Sequence, residues 1–549
     1  MLKDILFQIK YMFSQITFNR KKEINVRLKE SFGKMKDGSF DFDSIEKYFR
    51  NKDNSKTYQV LSDKTCNDLD FDDLFMFLDR TTSKVGQQYL YNKLRTINID
   101  ENQTKLDEHI IDELLKDSEL RISIQKKLEK LKHKDAYYIT ILLQEEHINP
   151  PKWFFVIKLL SLTSLVTLIL SFFKPFFFIV LIGIFCVNVI IHFWNKNNLI
   201  HYVSSIPQLL RLNNLASHLF TNSSLKKLNP DLSKSIKAIN EVKNRMLFFQ
   251  LETKFQGEFQ IIVWFLFEVF KALFLLEPLL LFGVLKILNT KRKEIENVFK
   301  FVGHIDMLVS IASLRKGINI YCIPNITNND EIIAKNISHP LIFDCKTNSI
   351  KVSDKSILLT GSNMSGKTSF IRAIGLNIIT GLTINTCFAK SLTFPLLKVF
   401  SAIRISDDLM NDKSYYFEEV LTIKEMILES NNGKRNLFLL DEIFKGTNTI
   451  ERISAGKAVL SALTKNDNVV LVSTHDIELT DMLNNEYDLY HFSETVNKKT
   501  VGFDYKLKEG KLENRNAIKI LEINDYPKEV INEAMEISEK LGKTNLEKT

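Results

Sequence analysis

Residues Leu358–Phe370 read L-L-T-G-S-N-M-S-G-K-T-S-F, the stretch whose chemistry is easiest to recognise. It places G-x-x-x-x-G-K-T between a strand pattern, S-I-L-L-T, and a helical pattern, T-S-F-I-R-A-I-G, which is the context a phosphate-binding loop requires. Loop N–H groups would cradle phosphates, Lys367 would reach the β- and γ-phosphates as a catalytic residue, and the Thr368 hydroxyl would ligate Mg²⁺. We therefore predict an ATP site built by consecutive residues: Gly361, Ser362, Asn363, Met364, Ser365, Gly366, Lys367, Thr368 and Ser369.

Two further segments end in residues suited to phosphate chemistry. Residues 436–442 read N-L-F-L-L-D-E, an apolar strand pattern ending in two acids, as in a Walker B segment. Asp441 would hold Mg²⁺ through water, and Glu442 would polarise the attacking water as a catalytic residue. Residues 469–475 read V-V-L-V-S-T-H. A lone His is more often structural, but His475 follows a strand where it could sense the γ-phosphate, so it is the third predicted catalytic residue.

The last third of the chain alternates strand-like and helical runs, with strands predicted at Ser356–Thr360, Leu437–Leu440 and Val469–Ser473. Such alternation is typical of α/β domains. The residues from Asp68 to 148 instead place apolar residues three and four apart, which predicts packed amphipathic helices. We expect an α/β C-terminal P-loop ATPase domain and an all-α region that carries a transmembrane helical hairpin.

Two apolar runs near the middle of the chain predict that hairpin. Trp153–Phe173 reads W-F-F-V-I-K-L-L-S-L-T-S-L-V-T-L-I-L-S-F-F, and Pro175–Trp194 reads P-F-F-F-I-V-L-I-G-I-F-C-V-N-V-I-I-H-F-W. Each has the roughly 20 residues needed to cross a bilayer, with a Trp at its outer end. Lys152 and Lys196 flank the same side, so both ends of the 153–194 hairpin are expected in the cytoplasm. The alternative is a buried helical pair in a large core.

A third apolar run, Ile261–Leu288, contains charged residues and a proline: Glu268, Lys271, Glu277, Pro278 and Lys286. Because charges at the bilayer centre are costly, we expect a core helix pair, or one long helix broken at Pro278. A second membrane hairpin stays open as an alternative.

The composition limits the classes of protein to which the chain could belong. The chain has 549 residues and a formal net charge of +8, which suits nucleic acid or an anionic membrane face without selecting either. The five cysteines are scattered and show no C-x-x-C spacing, so we predict neither a disulfide framework nor a zinc site. The N-terminal M-L-K-D-I-L-F-Q-I-K carries charges inside its apolar run, which favours a short amphipathic helix over a signal peptide.

These segments together resemble the MutS family of DNA mismatch-repair ATPases. T-G-S-N-M-S-G-K-T resembles that family's T-G-P-N-M-x-G-K-S, and the Asn363-Met364 pair is more specific than the P-loop alone. L-L-D-E-I-F-K-G-T-N-T resembles D-E-x-x-x-G-T-S-T, and S-T-H-D-I-E-L-T resembles A-T-H-x-x-E-L. The likeness continues in D-L-F-M-F-L-D-R-T-T-S-K-V-G-Q-Q-Y-L, in S-H-P-L-I and in D-Y-P-K-E-V-I-N-E-A-M-E-I-S-E-K-L, and it covers residues 60–130 and 295–541.

The resemblance implies an ABC-type ATPase that dimerises head to tail across two nucleotides. In that arrangement Ser414, in the segment that ends at Glu419, would face the nucleotide of the other subunit. The sequence also departs from the family. No F-x-E mismatch-reading motif precedes the core helices, Ser362 and Ser365 replace Pro and Gly of the family loop, and Ile405 stands near an expected Gly. ATP binding with Mg²⁺ is therefore expected to carry over, and mismatch recognition is not.

The predicted organisation follows the motifs along the chain. It comprises an N-terminal helical segment at 1–58, the first part of a core helical domain at 59–150, the transmembrane hairpin at 151–196, lever and core helices at 197–320, the ATPase domain at 321–525, and a C-terminal dimerisation helix and tail at 526–549. This would be a multi-pass protein of the cytoplasmic membrane with its ATPase domain in the cytoplasm.

Three functions compete. The first is a MutS-like ATPase that works as a homodimer and binds DNA through phosphate contacts, for which the basic runs Lys126–Lys134 and Lys291–Lys293 are candidates, although either could be a solvated helix face. The second is a nucleotide-driven mechanical module that acts on a membrane-protein partner and has no DNA role. The third is an inactive scaffold, which ranks last because all the predicted catalytic residues are present.

Overall fold

The computed structural model describes residues 22–146, 150–252, 260–362, 364–404, 415–497, 500–512, 518, 521–522 and 526–546. The amphipathic helix predicted at residues 1–10 lies outside these ranges, as do Asn363, Ile405 and Ser414. The chain divides into two compact units, each assembled from separate segments. The first unit is Met1–Lys56, Leu78–Arg95 and Asp100–Ile318, and the second is Thr57–Phe77, Thr96–Ile99 and Asn319–Thr549.

Helices make up most of the described chain. They are α1 (Phe42–Ile45), α2 (Lys47–Arg50), α3 (Asp63–Asp68), α4 (Phe71–Leu78), α5 (Lys84–Arg95), α6 (Glu101–Lys116), α7 (Ser118–Leu128), α8 (Ile139–Gln144), α9 (Phe154–Ser171), α10 (Phe176–Leu219), α11 (Ser223–Lys226), α12 (Leu232–Asn240), α13 (Lys243–Glu252), α14 (Gln260–Phe274), α15 (Leu276–Asn289), α16 (Arg292–Gly317), α17 (Lys367–Ile384), α18 (Tyr415–Ser430), α19 (Thr449–Leu463), α20 (Glu478–Met482) and α21 (Lys528–Leu546). Residues 22–30 are also helical, and two 3₁₀ helices span Glu129–Leu131 and Lys134–Tyr138.

One carboxylate fixes the core of the first unit. Asp306, in the buried helix α16, accepts the N–H of Thr82 at 2.9 Å and the N–H of Ser83 at 2.7 Å. Both N–H groups lie just before the first residue of α5, Lys84, so the carboxylate fixes the turn that leads into that helix from a distant element. Gly86 permits the approach, because a Cβ there would lie 2.2 Å from Asp306 Oδ2. The T-T-S-K-V-G segment thus has a packing role.

The two central apolar runs form helices α9 and α10, joined at Lys174 and Pro175. Both helices are long and apolar enough to cross a membrane, and 17% of the most apolar window of each is buried. Helix α16 also meets the length and composition criteria, but 83% of its window is buried, which marks it as a core helix. The predicted helical hairpin is therefore present, and most of its apolar surface is exposed.

The third apolar run forms two helices, α14 and α15, which are separated at Leu275 rather than broken at Pro278. Leu275 takes a left-handed conformation with φ 49°. Pro278 lies in the first turn of α15, where its missing N–H costs no helical hydrogen bond. Two helices are present as expected, but α14 is not a core helix, because Phe265, Leu266 and Phe270 are exposed. The proline lies in the first turn of α15 and breaks no helix.

The second unit is built on sheets. Its strands are β1 (Gln59–Val60), β2 (Thr96–Ile97), β3 (Asn325–Thr327), β4 (Ile332–Ile337), β5 (Asn348–Val352), β6 (Ser356–Thr360), β7 (Ser391–Pro395), β8 (Lys398–Ala402), β9 (Asn436–Asp441), β10 (Val469–Ser473), β11 (Tyr487–His491), β12 (Glu494–Asn497), β13 (Thr500–Phe503) and β14 (Lys508–Glu509). The main sheet has the order β14-β11-β6-β10-β9-β8, and a second sheet has the order β3-β7-β4-β5. Pairing in the main sheet is parallel except at the β14 edge.

The parallel sheet brings the three predicted strands side by side and confirms them. Strand β10 pairs with β6 on one side and with β9 on the other, and Ser473 stands opposite both Leu359 and Asp441. All five residues of β6 and of β10 are buried. Because the strands run parallel, their carboxyl ends meet at one edge, where ligands bind in open α/β sheets.

The chain segment 57–77 completes the second unit. Gln59 donates to the carbonyl of Val399 at 2.7 Å and accepts the N–H of Val399 at 2.9 Å. Asp68 accepts the N–H groups of Ile403 and Arg404, each at 2.9 Å. Residues 59–77 of the predicted domain 59–150 thus lie in the second unit, where the side chains of Gln59 and Asp68 contact the edge strand β8 and the residues after it.

Candidate functional site

The predicted phosphate-binding loop follows β6 and opens α17. Gly361, Met364 and Gly366 have positive φ values of 148°, 69° and 105°, so the chain turns tightly here. A Cβ on Gly361 would lie 2.6 Å from the carbonyl oxygen of Phe492, which explains the glycine. Met364 is 82% exposed and stands at the outer rim of the loop.

Lys367 lies inside the loop. Its Nζ donates to the carbonyl oxygens of Gly361 at 2.8 Å and Ser362 at 2.9 Å, and the side chain is buried. Burial lowers the pKa of the Lys367 ammonium, while the nearby carboxylates of Glu442 and Asp441 act in the opposite direction. The cation therefore sits where phosphate oxygens could replace the loop carbonyls as its partners.

Thr368 and Asp441, the two predicted Mg²⁺ ligands, are in contact. The Thr368 hydroxyl donates to Asp441 Oδ2 at 2.7 Å, and Ser473 bonds the other oxygen of the same carboxylate. Within the described residues no group of three or more His, Cys, Asp or Glu side chains is placed to hold a metal. A hydroxyl with one carboxylate fits Mg²⁺, which takes its remaining ligands from water and nucleotide phosphates.

Glu442 and His475 are also brought together. Glu442 follows β9 with φ 49°, and its carboxylate contacts His475 Nε2 at 2.6 Å and Lys445 Nζ at 2.6 Å. Burial raises the pKa of Glu442, but the hydrogen bonds from His475 and Lys445 outweigh it and lower the pKa to about 2. A carboxylate with so low a pKa suits orienting a water better than removing its proton.

Lys445 is a site residue that the sequence analysis missed. It lies three residues after Glu442, and its ammonium forms the second ion pair of that carboxylate. The three-residue spacing of Glu442 and Lys445 does not by itself predict their contact. The loop after β9 is not helical, and the contact depends on the positive φ of Glu442.

A buried glutamate supports the loop that carries Glu442. Phe444 has φ 61°, and its N–H donates to Glu419 Oε1 at 2.6 Å. Glu419, on α18, is buried, and burial raises the pKa of its carboxyl group. One acceptor from another element thus holds a stretch containing two left-handed non-glycine residues, a conformation that costs energy.

Replacing Glu419 with Ala is expected to lower ATP turnover by about 10-fold and the free energy of unfolding by about 1–3 kcal/mol, since the Phe444 N–H loses its buried acceptor. Glu419→Gln retains an acceptor oxygen and should stay near wild type. Steady-state ATPase assays and chemical denaturation would measure both effects. Normal turnover in Glu419→Ala would show that the loop needs no such support.

A cavity of about 630 Å³ adjoins the loop within the second unit. Besides loop residues it is lined by Ile342, Phe343 and Tyr505, which the sequence analysis did not identify. The Tyr505 ring reaches the position above Gly366, where a Cβ would be 3.2 Å from a ring carbon. Phe343 is 93% exposed, so its ring is available to a ligand. Only the fold could reveal these residues, because they come from distant segments.

Most of the predicted site residues therefore lie together in the structure. Gly361, Ser362, Met364, Ser365, Gly366, Lys367, Thr368 and Ser369 form one loop, and all of these except Gly361 line the cavity. The Ser362 hydroxyl also bonds the carboxylate of Glu494 in β12. Glu494 was not predicted from the sequence as a residue of the site. Asn363 and Ser414 lie outside the described residues, and α18 begins directly after Ser414.

A family model described as MutS domain V matches residues 357–542. The DNA mismatch repair protein MutS of Aquifex pyrophilus is 28% identical over 260 residues, covering 45% of this chain and 30% of that protein. The protein of the same name from Listeria welshimeri is 29% identical over 287 residues, covering 49% and 32%. That from Clostridium botulinum strain Hall is 29% identical over 253 residues, covering 43% and 27%. The chain thus spans about a third of the length of these relatives.

Proposed function

Because this chain belongs to the MutS family through its domain V, an ABC-like P-loop ATPase domain, we propose that it is a membrane-tethered ATPase that hydrolyses ATP with Mg²⁺. The observation that carries the proposal is the convergence of five side chains at adjoining strand ends: Lys367, Thr368, Asp441, Glu442 and His475. Phosphoryl transfer needs positioning and charge stabilisation above all, and this arrangement supplies both.

Each residue has a distinct task in the proposed reaction. Loop N–H groups and Lys367 hold the β- and γ-phosphates, exchanging the carbonyls of Gly361 and Ser362 for phosphate oxygens. Thr368 and Asp441 would hold Mg²⁺, which would supply positive charge beside the phosphates. Glu442 would orient the attacking water, and His475, which contacts this carboxylate, would sense the γ-phosphate.

The open side of the cavity suits the base of the nucleotide. Ile342, Phe343 and Tyr505 offer apolar and aromatic surface beside the loop, and purines stack favourably on aromatic rings. We propose that the adenine lies against Phe343 or Tyr505, with the triphosphate directed into the loop.

Helices α9 and α10 are proposed to span the membrane. Helix α9 has 18 residues, so at 1.5 Å per residue it is about 27 Å long, close to the thickness of a bilayer core. The rings of Trp153 and Trp194 lie 5.7 Å apart at the outer end of the hairpin, as interfacial aromatics do. The exposed large apolar residues of the hairpin include Phe155, Leu159, Leu162, Ile169, Phe172, Phe173, Phe176, Phe178, Ile179, Ile190 and Phe193.

The full-length protein is expected to fractionate with membranes and to resist a carbonate wash, since its hairpin offers lipid-facing apolar side chains on both helices. Replacing Leu162 and Val187 with Arg should move a large share into the wash, because each charge inside the bilayer costs about 3 kcal/mol. Glu119→Arg, an exposed change outside the hairpin, is the control. Recovery of the wild type in the soluble fraction would remove the membrane proposal.

The proposed working form is a homodimer that acts on DNA, by analogy with relatives named DNA mismatch repair protein MutS. The two basic runs, Lys126–Lys134 and Lys291–Lys293, offer limited support for DNA binding. Lys291 already pairs with Glu241 at 3.1 Å, and Arg292 bonds Asn289. The run Lys126–Lys134 includes exposed side chains at Lys130, Lys132 and Lys134, so it is the better candidate for phosphate contacts.

The alternative is a mechanical ATPase that moves a membrane-protein partner and does not bind DNA. The extensive exposed apolar surface of α9 and α10 favours it. Both functions use the same ATP site, so they differ in what stimulates turnover.

Duplex or branched DNA is expected to raise ATP turnover of the detergent-solubilised protein, and the stimulation should fade as salt rises, because phosphate contacts release counterions. Replacing Lys130, Lys132 and Lys134 with Gln should weaken the stimulation and leave basal turnover unchanged. Turnover that no DNA alters at either of two salt concentrations would favour the mechanical alternative.

A further inference from the structure

Helices α14 and α15 lie beside the proposed hairpin. Helix α15 contains 14 residues, so it is about 21 Å long at 1.5 Å per residue, too short to cross a hydrocarbon core of about 30 Å. The two helices are separated at Leu275, whose φ of 49° turns the chain. A helix pair of this kind could enter one side of a membrane and leave by the same side.

The contacts of α14 place its end inside the proposed bilayer. Asn188 lies six residues before Trp194 on α10, so it stands about 9 Å closer to the hairpin tip. The Asn188 Nδ2 donates to Ser164 Oγ at 2.9 Å and to the carbonyl of Leu273 at 2.8 Å. That carbonyl belongs to the last turn of α14, where no helical N–H is available to it. The buried amide of Asn188 thus satisfies a backbone group that lipid could not.

The contacts of α15 show that the chain returns to the level of Trp153 and Trp194. The ring of Phe282, in the middle of α15, lies 5.1 Å from that of Phe154, which starts α9 next to Trp153. Helix α14 therefore descends from the level of the two tryptophans, and α15 returns to it. We infer that α14 and α15 form a re-entrant membrane element, which dips into the leaflet that the hairpin enters first; the inference rests on the proposed membrane insertion of α9 and α10.

Three of the four charges that argued against membrane insertion of this run, Glu268, Lys271 and Glu277, are paired. Glu268 contacts His192 Nε2 at 3.1 Å, Lys196 Nζ at 2.6 Å and Lys271 Nζ at 3.0 Å. Lys271 also contacts Glu277 at 3.1 Å, across the break between the helices. Intramembrane charges persist where they face the bundle interior and pair. This network joins the re-entrant element to α10.

The outer face of α14 continues the apolar surface of the hairpin. Phe265, Leu266 and Phe270 are 60%, 61% and 50% exposed, while Lys271 on the opposite face is fully buried. A helix that buries a paired lysine and exposes three large apolar side chains presents a surface suited to acyl chains. Lipid is therefore the occupant of this face, in continuity with the surface of α9 and α10.

The element has a direct connection to the second unit along the chain. Helix α15 ends at Asn289, and α16 begins at Arg292 and ends at Gly317, next to Asn319, where the last segment of the second unit begins. A single buried helix thus separates the re-entrant pair from the nucleotide-binding unit in sequence.

Single cysteines carrying an environment-sensitive fluorophore would test this inference in the full-length protein. The background has all five native cysteines replaced by Ser, and it must first retain ATP turnover and vesicle binding. Labels at Leu266 and Phe270 are compared with Leu162, in the middle of α9, and with exposed Lys237 on α12. Each protein is reconstituted in phosphatidylcholine–phosphatidylglycerol vesicles with nitroxide lipids, shallow or deep, or treated with aqueous iodide.

The labels at Leu266 and Phe270 should lose fluorescence most with shallow nitroxide lipids and resist iodide, while Leu162 loses most with deep nitroxides and Lys237 with iodide. Iodide quenching at Leu266 and Phe270, with Leu162 quenched by lipid, would overturn the re-entrant element and leave the hairpin intact. A Leu162 label quenched only by iodide would refute the membrane hairpin itself, and the inference with it.

Discussion

Replacing Glu442 with Gln is expected to lower ATP turnover by about 10²–10⁴-fold, the range typical of a catalytic acid or base, and to leave ATP binding intact. The Glu442 carboxylate is the acidic group in contact with His475 and Lys445, whereas Lys367 and Thr368 make the proposed phosphate and Mg²⁺ contacts. Gln keeps the size of the side chain and removes its charge. The variant should therefore hold ATP and any closed dimer that ATP promotes.

Turnover, equilibrium binding of a labelled ATP analogue and sedimentation would be measured side by side. Glu425→Gln, an exposed change on α18, is the matched control and should behave as wild type. Unimpaired hydrolysis by Glu442→Gln would show that another group orients the water. Loss of ATP binding would show instead that the substitution disturbs the loop.

The low pKa of Glu442 has a consequence for pH dependence. A carboxyl with a pKa of about 2 remains ionised throughout the range from pH 5 to 8. The hydrogen bonds that lower this pKa stabilise the folded loop at pH values above the ordinary Glu pKa of 4.5, and this contribution is lost as pH falls towards 2. An acidic limb in the turnover profile near pH 5–6 would therefore belong to a different group.

Replacing Lys367 with Ala is expected to abolish detectable nucleotide binding, and with it turnover. The ammonium is the cation inside the loop, and its two carbonyl contacts mark two positions for phosphate oxygens. Two hydrogen bonds to charged groups contribute about 3–6 kcal/mol, which corresponds to about 10²–10⁴-fold in affinity. Binding of a fluorescent ATP analogue, followed by titration, measures the loss.

Lys424→Ala, on the exposed face of α18, controls for loss of positive charge. Thermal unfolding would establish that Lys367→Ala still folds, since the loop carbonyls of Gly361 and Ser362 lose their partner in this variant. ATP binding within a few-fold of wild type would contradict the assignment of Lys367 to the phosphates.

The sequence predicted the parts of the site that follow strands. Gly361–Thr368, Asp441, Glu442 and His475 each stand at the carboxyl end of an apolar run, and parallel pairing of β6, β9 and β10 brings those ends together. Such local patterns suffice because the rule that links strand ends to ligand sites is general.

Residues that reach the site through tertiary structure could not be predicted. Lys445 depends on the left-handed turn at Glu442, and Glu419 on the packing of α18 against that loop. Phe343 and Tyr505 come from segments far apart in the sequence. None of these has a characteristic spacing, since backbone conformation and packing determine their positions.

The pairing of the charges in the apolar run at 261–288 could not be predicted from the sequence either. Single charges in an apolar segment argue against membrane insertion when each is considered alone. Glu268 and Lys271 pair with partners on the same run and on α10, including His192 and Lys196. The cost of burying these charges depends on that pairing, which is a property of the fold.

Membrane tethering and ATP hydrolysis by this protein can be tested together in one flotation experiment. The full-length protein is reconstituted in vesicles and floated through a density gradient, and Mg²⁺-dependent ATP turnover is assayed in every fraction, for the wild type and for Glu442→Gln. We expect both proteins to float with lipid and turnover to float only with the wild type. Wild-type protein that stays at the bottom of the gradient, or that floats without Mg²⁺-dependent turnover, would contradict a membrane-tethered ATPase.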